Sequence, residues 1–204
     1  MKKKKRLLLH ICCAPDASVG FERFSSNWET NGFFHNSNIH PPEEYAKRLK
    51  ALETLAGEMG FSFNEGPYEP ELWLKSVQGM EMEPEKGLRC EKCIRERLRD
   101  TARLARAKGF DAFAAVLTVS PHKDSAMINR LGTEAGEEFG IEYVPTDLKK
   151  REGFKRSVEL TRQYGIYRQD YCGCVYSRNR GKNRSILANR KTKDHGSKGK
   201  AGTS

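Results

Sequence analysis

The sequence predicts an α/β fold: a single doubly wound, mostly parallel sheet with helices on both faces. Three observations predict it. Short apolar runs alternate with segments of helical period, the connections between them are short, and 204 residues suit one domain with its own core.

Residues 6–13 (Arg-Leu-Leu-Leu-His-Ile-Cys-Cys) read as a buried strand ending where the cysteines begin. Residues 42–59 read as a helix. Pro42 opens it, Glu43 and Glu44 suit its first turn, Leu49, Leu52 and Leu55 form its apolar face, and Gly60 closes it. Residues 61–63 suggest a short strand and 70–77 a short helix carrying Trp73. The clearest helix spans 91–108, with Ile94, Leu98, Ala102 and Ala105 at helical spacing and Gly109 after it. A strand over 111–117, a helix over 124–139 stopped by Gly140, a strand over 141–144 and a helix over 154–164 follow. The expected architecture is Rossmann-like (HUP-like). In such sheets ligands bind beyond the carboxyl ends of the strands, where Cys12 and Cys13 fall.

The formal net charge of +10 sits at the ends of the chain. Lys2, Lys3, Lys4, Lys5 and Arg6 are consecutive, and residues 175–204 hold nine Lys/Arg against the single acid Asp194. Basic ends on a balanced body suggest a polyanionic partner, nucleic acid first; a solubilising tail is the alternative. Residues 1–177 are expected to form the catalytic domain and 178–204 a basic, disordered tail. The apolar run at 7–9 is too short for a signal peptide, and no stretch approaches the ~20 apolar residues of a membrane span. The expectation is a cytoplasmic protein with no membrane partner.

The six cysteines form three pairs: Cys12-Cys13, Cys90-x-x-Cys93 and Cys172-x-Cys174. A disulfide framework fits poorly with a cytosolic α/β domain, so metal binding or redox chemistry is favoured. Cys90 and Cys93 open the strongest helix, whose N-terminus stabilises thiolates. Both Cys12 and Cys13 can face one site only if the chain leaves the strand there, and Pro15 makes this plausible. Gly173 frees the backbone to aim Cys172 and Cys174 together. Four thiolates suit zinc or an iron–sulfur cluster, and position at the ligand-binding end of the sheet favours the redox site. Asp16 is either a helix N-cap or a ligand for a harder, oxygen-binding iron. The loop expected over 12–18 has no glycine, and its one charged residue is the acidic Asp16, so no nucleotide is expected there.

Four segments in order resemble the cobalamin-independent epoxyqueuosine reductases of the QueH type, over residues 6 to about 177. They are Leu8-Leu9-His10-Ile11-Cys12-Cys13-Ala14-Pro15; Asn38-Ile39-His40-Pro41 with Glu43-Glu44-Tyr45; residues 83–93, ending Arg89-Cys90-Glu91-Lys92-Cys93; and Tyr167-Arg168-Gln169-Asp170-Tyr171-Cys172-Gly173-Cys174. The resemblance implies reduction of epoxyqueuosine at the tRNA wobble position to queuosine, with two electrons and two protons consumed and one water released. It implies a [4Fe–4S] cluster on Cys12, Cys13, Cys90 and Cys93, and no cobalamin. Cys172 and Cys174 are then a redox dithiol, or join Asp16 in holding an additional mononuclear iron. The family commonly carries cysteine where this chain has Asp16.

Such a reaction needs a proton donor; His122, Lys123 and Asp124 after the strand at 111–117, and His40 after the Asn-rich turn, are the candidates, and a solvated loop residue is the alternative for each. Tyr167, Arg168 and Tyr171 flank the last cysteine pair and could stack on bases or grip phosphate, or simply pack the sheet edge. The expected partners are tRNA carrying epoxyqueuosine and an electron-donor protein such as a ferredoxin or flavodoxin. Two rivals remain: a sulfur-transferring tRNA-modification enzyme, which needs the Gly/Ser-rich ATP loop this chain lacks, and a zinc-stabilised tRNA-binding module.

Overall fold

The computed structural model describes residues 3–178; the tail expected over 178–204 lies outside the described residues except for Arg178. Five parallel strands form one sheet in the order β3-β2-β1-β4-β5, where β1 is Lys5–Ile11, β2 Trp28–Phe34, β3 Phe63–Glu65, β4 Ala112–Ala115 and β5 Glu142–Tyr143. The helices are α1 (Ala14–Phe24), α2 (Pro42–Met59), α3 (Pro70–Ser76), α4 (Leu88–Ala107), α5 (Ser125–Phe139) and α6 (Gly153–Gln163).

The central strand β1 explains the two layers. Its side chains alternate between faces, as a strand requires. Leu7, Leu9 and Ile11 enter one core with residues of α1, α2 and α6, while Leu8 enters the other with Ile94, Leu98 and Ala102 of α4 and Ile128 and Leu131 of α5. Both faces are covered, so β1 is apolar over most of its buried length, as central parallel strands are, with His10 the one polar exception. The doubly wound arrangement expected from the alternation of elements is the one found.

Two elements escaped the sequence reading. The stretch expected as a loop after β1 is two residues long, because α1 begins at Ala14 with Pro15 in its first turn. Asp16 is therefore not the N-cap of that helix; Cys13 is. The strand β2, Trp-Glu-Thr-Asn-Gly-Phe-Phe, is not assigned from sequence, since Asn31-Gly32 interrupts its apolar pattern, yet it pairs with β1 along its whole length. Gly32 is required by crowding: a Cβ there would lie 2.5 Å from Ile11 Cδ1 and 2.7 Å from Phe63 Cβ. At 116–119 the chain leaves β4 and tightens into a 3₁₀ turn, so the strand expected over 111–117 is shorter.

Candidate metal centre

The cysteines lie where helices start at the carboxyl edge of the sheet. Cys12 follows β1 directly, and Cys13 is the N-cap of α1. Cys90 and Cys93 occupy the first two turns of α4, so the positive ends of two helix dipoles point toward the thiols. Arg89, fully buried, fixes the approach to α4 by donating to the carbonyls of Met80 (2.8 Å), Glu81 (3.1 Å) and Glu83 (2.8 Å).

Cys12, Cys13 and Asp16 form a compact donor set, their ligand atoms all within 4.8 Å of one another. The Cys12 Sγ lies 3.7 Å from the Cys13 Sγ and donates to Asp16 Oδ2 at 3.4 Å. The hydrogen bond to Cys13, burial and the nearby carboxylate push the Cys12 thiol well up, and Arg97 opposes them. Burial raises the Asp16 carboxyl to about 6, with the Cys12 hydrogen bond and Arg168 pulling the other way. Cys90, Cys93, Cys172 and Cys174 lie outside this set of three.

Cys93 and Cys174 are buried in one small cluster with Trp73 and Val77 of α3 and its neighbour, and Cys172 packs against it. Gly173 adopts φ +103°, and a Cβ would fall 2.8 Å from Ile39 Cγ1, so the glycine expected to free this backbone is needed. The Cys174 hydrogen bond drives the Cys172 thiol well below its ordinary value against the cost of burial, helped by Lys123 and Ser177, whose Oγ is 3.1 Å away. Cys174 is pushed up as the donor of that pair. Burial pushes Cys93 up, opposed by Arg97. Lys123 is disfavoured as a cation by burial, yet Cys172, Cys90 and Cys93 more than offset this and raise its pKa.

The remaining expected residues divide. His40 sits beneath the last cysteine pair: its backbone N–H donates to the Gly173 carbonyl at 2.8 Å and its buried Nε2 has no hydrogen-bond partner among the described residues. Tyr171 donates its hydroxyl to the His40 carbonyl, and its own carbonyl accepts from Arg48 at 3.0 Å, which is the packing alternative. Arg168 donates to Ser157 Oγ at 3.0 Å and lies over the Phe154 ring, still close enough to act on Asp16. Tyr167 donates to Glu44 of α2. His122 and Asp124 are exposed, and Asp124 caps α5 through the N–H groups of Ala126 and Met127.

Three buried groups were not singled out from sequence. Arg97, on α4 one turn past Cys93, donates to Asn36 Oδ1 (3.0 Å) and Asn38 Oδ1 (3.2 Å). Arg48 spans Glu44 and the carbonyls of Tyr171 and Cys172. His10 is held neutral by burial, Arg97 and His35. A helix face that carries arginine among its apolar positions was the available signal for Arg97.

The family model described as Epoxyqueuosine reductase QueH matches residues 7–180. A protein of that name from Streptococcus pyogenes serotype M1 is 41% identical over 177 residues, covering 84% of this chain and 69% of the relative. Others come from Staphylococcus aureus (37%, 85% and 76% covered) and Thermotoga maritima (34%, 84% and 89% covered). Among solved structures, the U34-tRNA thiolase NcsA from Methanococcus maripaludis with its [4Fe-4S] cluster is 14% identical with a TM-score of 0.55, covering 86% of this chain and 62% of that one. A predicted tRNA methyltransferase subunit from Methanocaldococcus jannaschii is 13% identical with a TM-score of 0.54, covering 78% and 74%. At these identities the two solved structures share the fold.

Proposed function

The chain belongs to the epoxyqueuosine reductase QueH family, and we propose that it reduces epoxyqueuosine in tRNA to queuosine with an iron–sulfur cluster. It is an oxidoreductase by family. The observation that carries the cofactor reading is the gathering of Cys12, Cys13 and Asp16 within 4.8 Å at the carboxyl edge of the sheet. Adjacent thiols and a carboxylate, next to two helix N-termini, suit a thiophilic metal bound by thiolates.

In this reading Cys12, Cys13, Cys90 and Cys93 hold a [4Fe–4S] cluster. Asp16 supplies an oxygen ligand for an additional iron. When bound, these groups supply single electrons and a Lewis acid for the epoxide oxygen. The chain's own residues do the rest. Lys123 brings a cation near enough to act on Cys172, Cys90 and Cys93, and it is the proposed proton donor to the departing oxygen. Cys172 is kept ready as a thiolate by Cys174 and Lys123, which suits either a redox dithiol or a second-iron ligand. The overall change takes two electrons and two protons, breaks both epoxide C–O bonds, forms the carbon–carbon double bond and releases water. A ferredoxin or flavodoxin is the proposed source of electrons, and the cytoplasm the proposed compartment. Among the described residues no helix is long and apolar enough to cross a membrane.

The test is anaerobic incubation of the loaded protein with tRNA carrying epoxyqueuosine and a chemical reductant, followed by nucleoside analysis. Conversion to queuosine supports the reading. Unchanged substrate with a fully loaded cluster sinks it.

A further inference from the structure

The second face of the sheet is covered unevenly. α4 and α5 pack over β1, β4 and β5, but beside α4 a cleft of about 730 Å³ opens, with Phe33 and His35 near the end of β2 and Asn64 of β3 on its floor. The size lies within the range of small-ligand sites. Arg97, Asn38 and Trp73 line it at the end that adjoins the cysteines; Ala107 and Lys108 line it at the other. Along α4 that separation is about 16 Å.

Two buried polar atoms on residues lining this cleft have no hydrogen-bond partner among the described residues: Arg97 Nε and His35 Nδ1. Arg97 is 7% exposed. A guanidinium group can only donate. Buried donors of this kind ordinarily find acceptors, so the cleft asks for a ligand rich in carbonyl oxygens or ring nitrogens. Its floor asks for a flat one: the Phe33 and His35 rings stack at 5.4 Å and 11°. Leu72, 60% exposed on the rim, adds apolar surface, and Arg103 and the exposed Lys108 stand at the far end, while Glu65, Glu69, Glu96 and Asp100 also line the cleft. Flat, acceptor-bearing and joined to a backbone that a cation can meet describes an unpaired nucleobase in RNA.

We propose that this cleft binds an unpaired base adjoining the reacting nucleotide of the RNA substrate, stacked on the Phe33–His35 floor and reached by the Arg97 donor. The proposal rests on the reading that the substrate is RNA. Because Arg97 and Trp73 also flank the thiols, a base held here sets the distance of the reacting residue from the metal centre. The substrate is then read as a strand of at least two nucleotides, and a free nucleoside is a poor substitute.

The test uses the loaded full-length protein and an anticodon stem-loop with 4-thiouridine on either side of the reacting nucleotide. Irradiation is expected to cross-link one of these positions to the peptides bearing Phe33 and His35 or Trp73. Asn64→Tyr, which fills the floor from an exposed strand position, and Leu72→Glu, on the exposed rim, are expected to weaken RNA binding by about tenfold, the loss of one stacked base, at unchanged iron content. Cross-links confined to other peptides, or unchanged affinity in both variants, overturn the proposal even if epoxide reduction proceeds. Protection of the cleft by an electron-donor protein but not by RNA would also overturn it. Cross-links in the cleft without any epoxide reduction would support this inference and sink the proposed reaction instead.

Discussion

Arg97 is tied to Asn36: its Nη1 donates to Asn36 Oδ1 at 3.0 Å, and Asn36 Nδ2 donates onward to the Ile11 carbonyl at 2.8 Å. A buried cation on α4 is thereby fixed against the residue that precedes Cys12. Among the described residues Arg97 has no carboxylate partner, and it opposes the upward push on the Cys12 and Cys93 thiols, so thiolates formed on metal binding would balance it. Arg97→Met is expected to weaken iron retention by about ten- to a hundred-fold, as loss of outer-shell partners does. Iron released to a competing chelator measures it, and retention equal to the parent chain would show that Arg97 only packs.

Asp16→Asn keeps the shape of the side chain but removes the ionisable oxygen beside Cys12 and Cys13. The expected result is a protein that keeps its four-iron cluster and its visible spectrum but loses any additional iron and the capacity to reduce the epoxide. Iron and sulfide content, with turnover on tRNA, distinguish this from general loss of the site.

Cys172 and Cys174 lie outside the compact donor set around Asp16. Replacing both with alanine is expected to abolish epoxide reduction while cluster iron stays near the parent value. Loss of iron together with activity would make the pair metal ligands; full activity would make them dispensable.

Arg48 is 2% exposed and bonds Glu44 Oε1 at 2.7 Å as well as the carbonyls of Tyr171 and Cys172. Arg48→Met strands a mostly buried Glu44 and frees the last cysteine segment. A cost of about 3 kcal/mol is expected, since breaking a buried pair leaves an uncompensated charge. The exposed pair Lys50–Glu53 sets the contrast: Lys50→Ala should change stability by less than about 0.5 kcal/mol. Urea unfolding of the three proteins side by side gives the comparison.

Acid sensitivity is expected at Asp100, which contacts His35 Nε2 at 3.0 Å. Burial pushes this carboxyl up, but His35, Arg103 and Arg99 more than offset that and hold it below the usual carboxylate range. A depressed folded value contributes stability above the unfolded pKa of about 4, lost as pH falls through the folded value. Asp100→Asn should therefore flatten the decline in thermal stability below about pH 4, while leaving an unchanged difference above pH 5.

Much of this was legible in the sequence, for identifiable reasons. The helix α4 was evident because its apolar positions recur at helical spacing, and the three cysteine pairs marked the site because nothing else in the chain clusters so. Helix α1 was hidden because Pro15, Asp16, Ser18 and Gly20 dilute its pattern, yet it is buried along its first two turns. Without α1, Asp16 could not be placed beside Cys12. The strand β2 was hidden by Asn31-Gly32, where crowding between β1 and β3, not a turn, demands the glycine. Arg97 reads as a solvated charge on a helix face and Arg48 carries no sequence signal; only the tertiary approach of Asn36, Asn38 and the 171–172 carbonyls makes them buried anchors.

The central claim is that these thiols hold an iron–sulfur cluster. Iron, sulfide and zinc content with a visible spectrum, on protein purified without oxygen, tests it most directly. The account predicts brown protein with about four irons and matching sulfide per chain, and further iron that Asp16→Asn removes. One zinc per chain, no sulfide and no colour would contradict it, and would leave a zinc-stabilised RNA-binding domain in place of a reductase.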